Sequence, residues 1–484
     1  MLTESFSGIR GIYKEDLHDN VIRKYALSYA KLLKKKKRNN SVVIGMDTRP
    51  SSAHVKEEMK KVFLSEGFDV IDVGFNTTPA IQLAVREYKA GGGVIVTASH
   101  NEPNWNGWKL LSELGSMLPV EEIEEVIKNS KKDIGDSSKS SPDETGERGK
   151  DIDKAKELRE KYSDFVFECV GKDGVEAIKK SSLKIVVDPN GGTATVVIKD
   201  ILEKAGVEAV YKNMDLGVFN RLIEPNEKSL AYLTFYVEDL DADLGAGWDC
   251  DGDRIEIVLP GGTDFVERNG KMLSGQYILA LLVDEVMSEY NGKNRQVVTN
   301  DATSNVVAEV AKKHNANVVE VEVGEINVVE KMDELNAPVG GEGSSSGGIF
   351  PPSRCRDGIL TLMMILKLIA KRKKKLSSIL NDFPQYYNSV AKMQCPPNIA
   401  PKMRKKLEDY WKKQPFIQEI KKTGDETGGL KVIRKDGGWV WFRASKTEAG
   451  VFRVISDATT KEYADKLLAM GEKSLNDCIS QLKK

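Results

Sequence analysis

Between residues 249 and 254 the chain reads DCDGDR. Asp249, Asp251 and Asp253 stand at alternate positions, and like charges this close repel. A hard divalent cation removes that cost, and three loop oxygens leave room in an octahedral Mg²⁺ shell for water and a substrate phosphate. Arg254 beside them suits a phosphate or braces a carboxylate. The spacing begins like an EF-hand loop, but Arg254 holds the sixth place, where glycine is needed, and Pro260 the twelfth, where a bidentate glutamate belongs. An aspartyl-nucleophile phosphatase also carries Asp-x-Asp after an apolar strand; here LGAGW intervenes before Asp249. A solvated acidic turn is the plain structural alternative.

Three other stretches are dense in polar chemistry. TASHNEPNWNGWKL (97–110) follows the apolar run GVIVTA and holds Ser99, His100 and Lys109. Polar groups this dense are costly to bury without partners. The Asn-Gly pair at 106–107 is expected to fold Lys109 back toward Ser99. FRASKTEAGVFR (442–453) offers Arg443, Ser445, Lys446, Thr447 and Arg453. Arginine forks, hydroxyls and turn amides make a phosphate cradle, and an ordinary charged hairpin tip would look the same. GGEGSSSGGIF (340–350) sets Glu342 between glycines and follows it with Ser344. Glycines admit a ligand to the backbone, and Glu with Ser can bond vicinal hydroxyls; a flexible loop is the alternative.

The elements that would hold these loops recur. SVVIGMD, LKIVVD and QVVTND each end near Asp47, Asp188 or Asp301. Each is followed by a helical pattern, a second strand (FDVIDVG, VEAVYKN, ANVVEVEVG) and then a third strand with one of the polar loops. Strand-helix alternation predicts right-handed βαβ units in mostly parallel sheets, with ligands at the carboxyl ends of the strands. The expected fold is α/β: three similar domains (1–152, 153–256, 257–372) and a C-terminal α+β domain (373–484) around a central active-site cleft. The last domain shows short alternating strands broken by Asp-Gly, as an antiparallel sheet does. Residues 129–158 are rich in Ser, Lys, Asp and Glu and read as a mobile surface excursion.

Composition narrows the class. Over 484 residues, 72 Lys+Arg nearly balance 73 Asp+Glu, so no global field draws nucleic acid or a membrane surface. The longest apolar run, ILTLMMILKLIA, contains Lys367, is too short to span a bilayer and reads as a core helix. MLTESFSGIRG has no signal-peptide pattern. Five scattered cysteines without a CxxC pair predict neither disulfides nor structural zinc and fit a reducing, cytoplasmic setting. The basic runs KKKKR (34–38) and KRKKK (371–375) read as solvated helix ends. Nothing separates a monomer from a homodimer.

Read in order, the motifs resemble the α-D-phosphohexomutase family of phosphoglucomutases and phosphomannomutases. SFSGIRG (5–11), GMDTRPSS (45–52), the Ser99 loop, DPNGG (188–192), DCDGDR, GEGSSS, RDG (356–358) and RASKTE carry the resemblance over nearly the whole chain. It implies a phosphoserine at Ser99, which with Asp249, Asp251 and Asp253 holds Mg²⁺. It implies sugar contacts from Glu342 and Ser344, and a phosphate site from Arg443, Ser445, Lys446, Thr447 and Arg453, with Arg254 also toward substrate. His100 and Lys109 are the proton-carrying candidates, and Arg10 steadies the phosphoserine. The implied reaction interconverts hexose 1-phosphate and hexose 6-phosphate through a bisphosphorylated sugar, with hexose 1,6-bisphosphate as activator and sugar phosphates as the only partners. The chain departs from the family pattern at Lys446 and Ala449 in the phosphate loop, at Ile326 where a lysine is expected, and in the serine-rich sugar loop. Phosphoglucosamine mutase is therefore the runner-up. A sugar-phosphate phosphatase and a non-catalytic sugar-phosphate binder are the readings from other classes; retention of Ser99 and the three aspartates argues against the binder.

Overall fold

The computed structural model describes residues 2–5, 7–132, 148–445 and 450–482. It forms two compact units, one of Met1–Leu273 with Gly347–Ser378 and one of Ser274–Ser346 with Ile379–Lys484.

The first unit holds two mixed sheets. The larger runs Thr3–Ser5, Gly8–Ile12, Trp105–Leu111, Gly92–Val96, Ser41–Met46, Asp69–Phe75, Asp151–Asp153. Its centre is parallel: Ser41–Met46 lies between Asp69–Phe75 and Gly92–Val96, and its last five residues are buried. The helix Asp19–Lys35 covers it with Ile22, Tyr25, Ala26, Tyr29 and Leu33, the i, i+3, i+4 stripe of a one-sided helix. That helix ends in the first basic run, where Lys34, Lys35 and Lys36 meet Glu66, Glu125 and Glu122 at 2.8, 2.7 and 3.1 Å. The run is a solvated helix end, as its sequence suggests. Of the charged stretch 129–158, residues 133–147 lie outside the described residues, while Asp151–Asp153 adds an edge strand.

The smaller sheet runs Met272–Leu273, Ile255–Val258, Leu244–Trp248, Lys184–Asp188, Glu208–Tyr211. Strand Ile255–Val258 crosses the expected boundary at 256, and its sheet runs on to Leu273. LGAGW, which the sequence suggests is an interruption, is itself the buried strand Leu244–Trp248 leading straight into Asp249. Its glycines are packing positions, because a Cβ on Gly245 or Gly247 would press into Val237 or Leu230. The apolar run at 359–370 is a core helix, Gly358–Arg372, buried on nearly every side.

The second unit pairs Asn317–Val321, Gln296–Asn300 and Val339–Glu342 in parallel. It also carries an antiparallel sheet, in the order Tyr387–Gln394, Val451–Ala458, Trp439–Ala444, Leu430–Arg434, Ile417–Lys422. Helices Ala400–Trp411 and Lys461–Leu482 pack on it around Trp411, Phe442 and Leu467. The α/β repeats and the antiparallel C-terminal sheet agree with the expected fold class. Among the described residues no helix is long and apolar enough to cross a membrane, and all five cysteines are free.

Candidate active site

In the first unit, Ser99 sits just past the carboxyl end of strand Gly92–Val96. Its backbone is left-handed, with φ +53°, an uncommon conformation for a residue with a side chain. The neighbours fix it there. The Ser99 N–H donates to Thr97 Oγ1 at 2.8 Å, and its carbonyl accepts from Arg49 Nη2 at 2.7 Å. Arg49 also donates to the Asn101 carbonyl and forms a fully buried pair with Asp47. Ser52 Oγ donates to Asp47 Oδ1 at 2.6 Å, so the DTRPSS stretch is the cradle of the serine loop.

Lys109 returns toward the site by a route other than the expected one. Gly107 makes no turn; it lies inside strand Trp105–Leu111, opposite Arg10, where a Cβ would collide with the Ile9 carbonyl oxygen. The return is made between Val96 and Trp105, and antiparallel pairing then sets Lys109 opposite Ile95. Arg10 Nη1 donates to Asn101 Oδ1 at 3.3 Å, which ties it to the serine loop.

The acidic loop meets these groups. Ser99 Oγ lies 3.5 Å from Asp249 Oδ2 and 3.5 Å from His100 Nδ1. Lys109 Nζ donates to Asp251 Oδ2 at 2.8 Å and to Asp253 Oδ2 at 3.0 Å. Thr78 Oγ1 donates to the same Asp251 Oδ2 at 2.7 Å. Arg356 Nη2 lies 3.8 Å from Asp253 Oδ2, and the Arg254 N–H donates to Asp249 Oδ1 at 3.3 Å. The three aspartates are buried, so a solvated acidic turn is excluded.

Burial and its two acidic neighbours push the Asp249 carboxyl well above the usual range. Burial pushes Asp251 the same way, but Lys109, Thr78 and Arg49 outweigh it and hold its carboxyl low. Burial, with Arg254 and Arg10 nearby, holds the His100 imidazole down to about 2, so it is neutral.

One oxygen of each acid from each of the three aspartates lies within 4.8 Å of the others, a spacing that suits a single cation. Asp251 Oδ1 and Asp253 Oδ1 are buried without a hydrogen-bond partner. An unpaired buried carboxylate oxygen is expensive, and a cation satisfies it. The donor set therefore fits a hard metal ion.

The second unit carries the remaining predicted residues. Glu342 Oε1 accepts from Asn300 Nδ2 at 2.9 Å and from the Gly324 N–H at 2.8 Å. Asn300 Nδ2 also donates to Ser344 Oγ at 3.3 Å, and Ser344 is exposed. Arg443 Nη2 donates to Glu322 Oε1 at 2.9 Å, and Arg443 stands opposite Arg453 on adjacent strands. The Ser445 N–H donates to the Val451 carbonyl at 2.8 Å. Lys446 and Thr447 lie outside the described residues.

Several supporting residues escaped the sequence reading: Arg49, Thr78, Arg356, Asn300, Glu322 and Arg221. Arg221 ties Asp188 to the Trp248 carbonyl, at 2.6 and 2.8 Å, directly before the acidic loop. Of these, Arg49 and Arg356 lie in motifs the sequence does mark, GMDTRPSS and RDG, and Asp188, the partner of Arg221, lies in DPNGG. Thr78, Asn300, Glu322 and Arg221 carry no local signal.

Comparison with known proteins agrees over most of the chain. Models of the phosphoglucomutase/phosphomannomutase α/β/α domains I, II and III match residues 4–135, 160–262 and 274–387. A protein of Thermococcus kodakarensis named phosphoglucomutase/phosphomannomutase is 34% identical, over 98% of each chain. One of Pyrococcus abyssi named probable phosphoglucosamine mutase is 29% identical, again over 98% of each. The crystal structure of a phosphoglucomutase/phosphomannomutase family protein from Burkholderia thailandensis matches with a TM-score of 0.79 at 23% identity, over 98% of both chains, a likeness of fold.

Proposed function

The chain belongs to the α-D-phosphohexomutase family, and from that premise we propose that it interconverts hexose 1-phosphates and hexose 6-phosphates through a phosphoserine at Ser99. The observation that carries the reading is Ser99 Oγ, held 3.5 Å from Asp249 beside three buried carboxylates.

Phosphoryl transfer asks the protein mostly for position and charge. Phospho-Ser99 gives its phosphoryl group to the free hydroxyl of a hexose phosphate: the P–O bond at Ser99 Oγ breaks and one to the sugar oxygen forms. The bisphosphorylated sugar turns over, and Ser99 Oγ takes back the other phosphoryl group. Asp249, Asp251, Asp253 and a phosphoryl oxygen on Ser99 would hold Mg²⁺, which when bound neutralises charge on the transferring group. Arg10 and Arg49 keep the serine loop in place. The attacking hydroxyl's proton needs an acceptor within hydrogen-bond reach; His100, neutral, has a lone pair for it, and Lys109, donating to Asp251 and Asp253, takes that role only after giving up a proton of its own. Arg443, Ser445, Lys446, Thr447 and Arg453 are assigned to the non-reacting phosphate, Arg254 to substrate, and Glu342 with Ser344 to sugar hydroxyls. Hexose 1,6-bisphosphate primes an unphosphorylated Ser99. The free cysteines suit a cytoplasmic enzyme.

Glucose and mannose phosphates are the first choice of substrate, following the relative at 34% identity. Glucosamine phosphate is the second reading, favoured by the relative named probable phosphoglucosamine mutase. Mass spectrometry after exposure to hexose 1,6-bisphosphate tests the phosphoserine, with modification expected on Ser99 alone. Parallel kcat/KM measurements on glucose, mannose and glucosamine 1-phosphates test the sugar. Phosphate release faster than isomer formation would move the enzyme to the phosphatases, and no turnover with an unmodified Ser99 would leave a binder.

A further inference from the structure

Asp251 has two oxygens with opposite fates. Oδ2 accepts from Lys109 Nζ at 2.8 Å and from Thr78 Oγ1 at 2.7 Å, while Oδ1 is buried with no partner. The Thr78 backbone N–H also donates to the Asp251 carbonyl at 2.9 Å, so one residue grips both main chain and side chain of the acid. Thr78 is fully buried and begins the helix Thr78–Glu87. The preceding residue already does the helix-capping work, because Thr77 Oγ1 accepts from the Ala80 N–H. The Thr78 hydroxyl is thereby released from capping and spent on the carboxylate.

We propose that Thr78 is a positioning residue for the metal: its hydroxyl decides which oxygen of Asp251 the protein occupies and which is left to the cation. This rests on the reading of Asp249, Asp251 and Asp253 as the metal site. Lysine and metal compete for the same carboxylate. Lys109 is a cation already 2.8 Å from Asp251 and 3.0 Å from Asp253. A carboxylate free to rotate can offer the ammonium both oxygens, and a metal ion must then displace a better-seated rival. With the Thr78 hydroxyl in place, 3.5 Å from the same Nζ, lysine and threonine share one oxygen and the other keeps its direction. Outer partners of metal-binding carboxylates commonly set affinity in this way.

The test is Mn²⁺ binding to the full-length, unphosphorylated protein, followed by electron paramagnetic resonance of the free ion. Thr78→Val keeps the shape and removes the hydroxyl, and its Kd is expected to rise about 10-fold or more. Thr78→Ser, which restores the hydroxyl, is expected to bind near wild type, and all three proteins to unfold at similar temperatures in EDTA. Should Thr78→Val fail to fold, Thr78→Ala removes the same hydroxyl without bulk and reads out the same quantity. If Asp251→Asn loses Mn²⁺ while the hydroxyl-less variant keeps wild-type affinity, the role of Thr78 is overturned and the metal site stands. If Asp251→Asn itself binds like wild type, the metal reading falls and the inference with it.

Discussion

The groups assigned to chemistry and those assigned to recognition are built differently in the two units. In the first, Ser99, the three aspartates and Lys109 are all buried, and Lys109, the most open of them, is 7% exposed. Each is held by a partner distant in sequence. In the second, Glu342 and Arg443 are braced by Asn300, Gly324 and Glu322, but Ser344 is exposed. Transfer of a phosphoryl group gains from charges fixed before the substrate arrives. Gripping a sugar phosphate that must be released and taken again gains from contacts completed by the substrate itself. Substitutions at the reacting groups of the first unit are therefore expected to lower kcat, and those at the contacts assigned to the second unit to raise KM.

The harshest trial is Ser99→Ala. It removes the oxygen that carries the phosphoryl group, and kcat is expected to fall at least about 10³-fold with the fold intact. Substantial residual turnover in a coupled assay would move the chemistry off Ser99. Arg49→Lys comes next. Through Nη2 the guanidinium reaches the carbonyls of Ser99 and Asn101 while its Nη1 holds Asp47, a span that a single ammonium cannot cover. A small displacement of Ser99 is enough to lower kcat about 10²-fold. A change in KM with kcat preserved would mean that Arg49 serves substrate binding, and the contrast between the units would fail there.

The acidic loop was legible because alternate carboxylates have few physical excuses, and the repeated strand-helix rhythm was legible because periodicity reports burial. What stayed hidden depends on long-range register. Thr78 and Asp251 are 173 residues apart, and nothing near Thr78 in the sequence marks it as a partner. Asn300 behind Glu342 and Glu322 behind Arg443 are hidden for the same reason. Two misreadings are also instructive. Asn-Gly at 106–107 looks like a turn, yet Gly107 is there because strand Gly8–Ile12 lies too close for a side chain. LGAGW reads as an interruption before Asp249, yet it is a buried strand whose glycines let Leu230 and Val237 pack against it. In both, glycine answers to the neighbour's proximity and its own backbone freedom is secondary.

In the second unit the sharper trial is Arg443→Lys. The guanidinium donates to Glu322 Oε1 at 2.9 Å and to the Val323 carbonyl at 3.3 Å, which aims its fork. Lysine keeps the charge and loses the planar fork that matches a phosphate. Steady-state kinetics are expected to give a KM raised about 10-fold, with kcat little changed. A loss in kcat alone would place Arg443 with the reacting groups and erase the distinction.

Buried carboxylates give the mildest test, since both units have them and only one set is assigned to chemistry. Asp457 lies in strand Val451–Ala458, where Oδ2 accepts from the Asn305 N–H at 2.9 Å and Oδ1 has no partner. Burial pushes its carboxyl up to about 6, against the pull of Ser304 and the Asn305 amide. The unfolded chain titrates near 3.9. A raised folded value means that the folded state holds the proton more tightly, so the group's stabilising contribution is complete below about pH 4 and is lost as pH rises through about 6. At pH 8 the folded protein carries an ionised, half-satisfied carboxylate, at a cost of about 1–3 kcal/mol. Asp457→Asn removes that cost, so its unfolding temperature is expected to exceed wild type at pH 8 and to converge with it near pH 4. Its kcat should stay at the wild-type value, whereas Asp251→Asn, the same change in the first unit, should lose both metal and rate. Equal losses of rate from the two substitutions would show that burial of an acid, and not its place beside Ser99, is what the reaction needs.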